Sequence, residues 1–112
     1  MIHELKVHPP FFQQIYDGLK TWELRKDDRV PRFEVGDELY LREFDPERAV
    51  FTERSMITAV PYVARGLERF GLPSDHCIMS VQYLGSSMEE EEIRNQNEGE
   101  RLDCHFNNGD FA

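Results

Sequence analysis

Gly18-Leu19-Lys20-Thr21-Trp22-Glu23-Leu24-Arg25-Lys26-Asp27-Asp28-Arg29 is the stretch on which the reading of this chain turns. It opens on a glycine, alternates as a strand does, and ends in a polar loop. In a regular strand Leu19, Thr21, Glu23 and Arg25 share one face, and Lys20, Trp22, Leu24 and Lys26 the other. A solvated strand face accounts for some of these charges. It does not account for Lys20, Glu23, Arg25, Asp28 and Arg29 crowded about one strand and its exit. Together those five suit a polar, planar, partly anionic ligand.

Upstream, Ile2 to Val7 alternates apolar and polar residues and predicts a first strand with Leu5 and Val7 inward. His8-Pro9-Pro10 breaks it, and proline is well placed at the first helical position. Phe11, Phe12, Ile15, Tyr16 and Leu19 then repeat at helical spacing, which predicts a helix with both phenylalanines in the core. Gly18 closes that helix as a left-handed cap. Trp22, beside Leu24 in a strand, is likewise expected in the core.

Downstream, Val35-Gly36-Asp37 reads as a turn and Glu38 to Phe44 as a third strand. Asp45-Pro46-Glu47-Arg48 turns the chain into a long strand over Val50–Val60, with a bulge expected near Arg54-Ser55. Pro61 marks the end of its ladder. Val63, Leu67 and Phe70 predict one helical turn. His76 to Leu84 reads as a single last strand. Five strands and one early helix predict an α+β fold built as a small mixed β-barrel, closed or nearly so, over residues 1–85.

Composition supports one domain of 112 residues with a small core: 39% of residues are hydrophobic and eight are phenylalanine. The net charge of −9 is uneven. Residues 86–112 hold eight acidic and two basic residues, whereas residues 1–85 hold fourteen and eleven. Few apolar groups occur in the tail, so Ser86 to Ala112 is expected to be mostly disordered, with a short helix over Glu89–Asn95. The body is too acidic for tight nonspecific duplex binding; contact with nucleic acid should be local, through a few cations and stacking. No apolar run spans a membrane, and no secretion signal opens the chain. Cys77 and Cys104 are too few for a disulfide scaffold or zinc cage, and the four histidines lack metal-like spacing. A cytoplasmic monomer without metal or cofactor is expected.

Taken together, His3-Glu4-Leu5-Lys6, the aromatic helix, Gly18-x-Lys20-Thr21-x-Glu23-x-Arg25, Asp27-Asp28-Arg29, Phe33-x-Val35-Gly36-Asp37 and Cys77-Ile78-Met79-Ser80-Val81 resemble a known group. They look like the small ASCH-type domains of the PUA-like superfamily, in the bacterial and phage branch termed DUF3850. The resemblance covers about residues 2–84. It implies a barrel whose cleft is lined by the strand after the first helix, with Lys20, Glu23 and Arg25 facing the cleft and Arg29 at its rim. It also implies binding of single-stranded RNA or a nucleotide.

The residues leave other readings open. Glu23 and Arg25 also make sense as a solvated ion pair of little energetic weight. Some ASCH relatives are amidohydrolases that remove an acyl group from acetylated cytidine with a lysine, a threonine and a glutamate. Lys20 matches that lysine, but Glu23 stands where the threonine would be. A Lys20/Glu23 pair is then the candidate for general acid–base chemistry on a nucleoside. A protein-interaction adaptor using the acidic tail is the third reading. As cleft charges outside the core, Lys20 and Arg25 are expected to tolerate simultaneous replacement by alanine without loss of the fold.

Overall fold

Alternation sets the first strand. In the computed structural model, which describes residues 1–88, β1 (Ile2–Val7) buries His3, Leu5 and Val7 and exposes the residues between them. Helix α1 (Pro9–Tyr16) starts with prolines in its first turn, buries Phe12 and Ile15, and stops where Gly18 turns to φ +80°. After that turn the amides of Leu19 and Lys20 both donate to the Gln14 carbonyl. The chain is thus folded back on the helix before β2 (Trp22–Lys26) begins.

β3 (Glu38–Asp45) and β4 (Val50–Ala59) form a hairpin, and β3 points Leu39, Leu41 and Glu43 inward. Their register slips between Arg42 and Phe44, opposite Phe51 to Ser55, where the sequence predicted a bulge. β5 is only Val63–Ala64, and a single 3-10 turn covers Glu68–Phe70. The predicted last strand is in fact two, β6 (His76–Ser80) and β7 (Gln82–Ser86). Ser86 pairs with Met56, and the Ser87 amide donates to Ser55, so regular structure runs past residue 85. The predicted disorder and short helix of the tail lie outside the described residues.

The strands form two sheets, and the expected closed barrel is not formed. One sheet has the order β1-β3-β4-β7, with β1 parallel to β3 and the other pairs antiparallel; the second has the order β2-β6-β5 and is antiparallel throughout. The reason is local. The run read as one strand bends at Val81, so β6 stays in the three-stranded sheet while β7 joins β4. At Val60-Pro61 the chain also leaves the larger sheet, and a proline there supplies no ladder donor. β1 and β2, which would have to pair to close a barrel, each keep one edge unpaired among the described residues.

The core joins residues from both sheets and the helix: Leu5, Phe12, Phe33, Leu39, Leu41, Met56, Val60, Cys77 and Met79 are all nearly inaccessible. Among the described residues His3, Lys20, Glu23, Asp37, Glu43 and Thr58 are polar or charged and buried as well. His3 donates from Nε2 to Asp37 at 2.8 Å. Glu43 accepts from the Thr52 hydroxyl at 2.8 Å. Thr58, at 0% exposure, has no partner for its hydroxyl among the described residues. Among the described residues, no helix is long and apolar enough to cross a membrane.

Candidate functional site

The margin left open between β1 and β2 is where the charged stretch lies. A cavity of about 420 Å³ runs along it, walled by Lys6 to His8 at the end of β1, by Phe11 of α1, and by Lys20 and Trp22 to Lys26. Its size falls within the range of small-ligand sites.

Glu23 is the centre of the site. It is 5% exposed and faces inward from β2 with Arg25. Lys20 Nζ lies 3.2 Å from one carboxylate oxygen and Arg25 Nη2 lies 3.2 Å from the other. The geometry that regular alternation forbade, with Lys20 on the Glu23 side, arises because Lys20 is not in the strand. It precedes β2, and its side chain folds forward over Trp22, donating to the Trp22 carbonyl at 2.8 Å. The Lys20 ammonium also sits over the Trp22 ring, 4.4 Å from its centroid, and 5.7 Å from that of Phe11. Both contacts are of the cation–π type. Arg25 reaches across the gap and donates to the Lys6 carbonyl of β1 at 2.7 Å, a side-chain bond where a barrel would have a backbone ladder.

Of the five residues singled out in the sequence, three converge here and two do not. Asp28 is exposed and lies 3.8 Å from Lys26 on the outside of the loop. Arg29 lies over the Phe33 ring and donates to His3 Nδ1 at 3.5 Å. It lines a neighbouring cavity, shared with Arg25, rather than the rim of the first. Asp27, next to Asp28 in the same loop, is taken up structurally. It is bound by Arg65 at 2.5 Å, and Arg65 also donates to the Phe33 carbonyl. The Arg65 guanidinium holds the Asp27 carboxyl below its ordinary range, against the opposing effect of burial, and the same bond pushes Arg65 up.

Two aromatic expectations are overturned. Trp22 is 47% exposed and Phe11 is 49% exposed; both line the cleft, and only Phe12 enters the core. The signal was present in the sequence. If Glu23 and Arg25 face inward on an edge strand, Trp22 and Leu24 must face out. The expectation that Lys20 and Arg25 stand apart from the folded interior also fails for Lys20, which is 8% exposed and carries two hydrogen bonds. Lys6 and His8 were missed because nothing in the sequence shows that the end of β1 lies opposite β2.

A family model described as a domain of unknown function (DUF3850) matches residues 2–81. An uncharacterized 12.9 kDa protein in the GpA 3' region of Escherichia phage P2 is 39% identical over 74 residues, which is 63% of this chain and 64% of that protein. The aligned part thus spans just under two thirds of the phage relative. The family match runs from the first residue of β1 to the Val81 corner and takes in every residue of the cleft. The chain belongs to the DUF3850 family.

Proposed function

We propose that the cleft between β1 and β2 binds a nucleotide or a single-stranded RNA, with a base against the exposed rings and a phosphate on the cations. The observation that carries this reading is the convergence of Lys20, Glu23 and Arg25 in one cavity beside Trp22 and Phe11. Aromatic faces accept any base. A carboxylate accepts from an exocyclic amino group, and a guanidinium offers paired donors to phosphate. The ASCH and PUA-like resemblance, with its association with RNA, points the same way.

The amidohydrolase reading draws less support. Among the described residues, those that wall the cavity include no serine, threonine or cysteine, and the Thr21 side chain is exposed outside it. An acyl transfer through a hydroxyl has no nucleophile there among the described residues.

Trp22 is the chain's single tryptophan, so its emission reports on the cleft alone. Titration with nucleosides and their monophosphates should give a saturable change in emission that is stronger with the phosphate present and weaker in Arg25→Gln. Backbone NMR shifts should gather at Lys20, Trp22, Glu23 and Lys6. Unchanged emission and unchanged spectra with every nucleotide and short RNA would overturn the proposal.

A further inference from the structure

The cleft does not end at Arg25. A second cavity of about 450 Å³ adjoins it along the free edge of β1, and the two share Lys6 and Arg25 as their common wall. The second cavity contains Arg29 and the ring of Phe51, which is 37% exposed. Phe51 is held by Phe44 edge to face at 5.0 Å and covered on one side by Arg42 at 3.9 Å. Lys6 lies over Phe44 at 4.4 Å. Cations and rings therefore alternate along this margin. The one acidic side chain in the second cavity, Glu4, is already paired with Arg42 at 2.9 Å.

The other end of the cleft is different. There a third cavity, of about 360 Å³, is bounded by His8, Phe11 and three prolines together with Asp45 and Glu47. It offers two carboxylates and neither lysine nor arginine, so a phosphodiester is disfavoured on that side.

Resting on the proposed nucleotide reading, we infer that the ligand is a single-stranded oligonucleotide of at least two residues laid along the edge of β1. One base lies against Trp22 in the first cavity, the internucleotide phosphate lies on the Lys6–Arg25 wall, and the next base lies toward Phe51 and Arg29. Arg25 can hold that phosphate without breaking its present contacts. Its bonds to Lys6 and Glu23 both use Nη2, and Nε and Nη1 have no partner among the described residues. The path is directional because the acidic cavity closes the other end.

The test compares a nucleoside monophosphate with the corresponding dinucleotide, in ribo and deoxy forms, by Trp22 emission on the full chain. The dinucleotide of at least one sugar should bind ten-fold tighter or more; each ligand carries a single phosphate, so the gain comes from the second base and should persist as salt is raised. Arg29→Gln and Phe51→Leu should remove most of that gain and leave monophosphate binding unchanged, with far-UV circular dichroism verifying the fold of each. If the monophosphate binds and the dinucleotide is no tighter, or if both variants weaken the two ligands equally, the two-site path is wrong while the cleft reading stands. If neither ligand binds, both are wrong.

Discussion

Replacing Lys20 by alanine should cost the fold about 2–4 kcal/mol, a large effect for a residue that borders a cleft. The ammonium makes two hydrogen bonds, to the Trp22 carbonyl at 2.8 Å and to Glu23 at 3.2 Å. Bonds to charged groups contribute about 1.5–3 kcal/mol each. The contact with the Trp22 ring adds about 0.5–1 kcal/mol. Against these stands about 2 kcal/mol of side-chain entropy that the lysine gives up in the folded state. After the change Glu23 keeps, among the described residues, Arg25 alone as its cation, in a position 5% exposed. Arg25→Ala should cost less, about 1–2 kcal/mol, because its side chain is a quarter exposed and water can replace it. Urea denaturation followed by circular dichroism measures both. The combined change Lys20→Met with Glu23→Leu should recover part of the loss, since it removes the two buried charges and leaves unpaired only Arg25, which is a quarter exposed and keeps the Lys6 carbonyl. A Lys20→Ala protein within about 0.5 kcal/mol of the parent, or strict additivity in the combined variant, would refute the idea that this pair is coupled and buried.

Three further outcomes are expected. Arg65→Ala should destabilise by about 2–3 kcal/mol, discounted for the quarter of Arg65 that is exposed, because the Asp27 carboxylate loses its hydrogen-bonded cation and keeps only the more distant, exposed Arg32 at 4.0 Å; a chemical denaturation midpoint that does not move would rule this out. Asp27 and Asp37 are both held below the ordinary carboxylate range, Asp37 despite burial, by the bond from His3, the Glu34 amide and the amino terminus. Their stabilisation is therefore complete above the unfolded-state value of about 3.9 and is lost as pH falls through the lower folded values. Thermal melts should drop steeply below about pH 4, and Asp27→Asn and Asp37→Asn should each flatten that drop. Thr58→Val should raise stability by about 1 kcal/mol, since it replaces a buried hydroxyl that has no partner among the described residues with a methyl group of similar shape; a loss in a urea titration would refute this.

Much of the local structure was legible because its causes are local. The alternation of Ile2 to Val7, the prolines ahead of Phe11, the turn at Gly18 and the inward row Leu39, Leu41 and Glu43 each follow from spacing and backbone chemistry. The site was legible as a cluster but not as a geometry. Lys20 joins Glu23 through a fold-back onto Gln14, which no periodicity encodes. Trp22 was misplaced because its size favours the core on average, while its position on an edge strand decided otherwise. The sheet count failed at Val81. A bend that sends one half of an apolar run to a different sheet leaves the run itself unchanged. Lys6, His8 and Arg65 became visible only when distant segments were brought together.

Arg25 has a second consequence, for behaviour in concentrated solution. The outer rim of β1 is an unsatisfied backbone edge, the kind of surface on which another molecule's strand can add and start a fibre. The guanidinium occupies the Lys6 carbonyl there, and the neighbouring lysine charges discourage a stacked copy. Preparations lacking this arginine should therefore cluster as protein concentration rises, and light scattering would register it before any assay of ligand capture is interpreted.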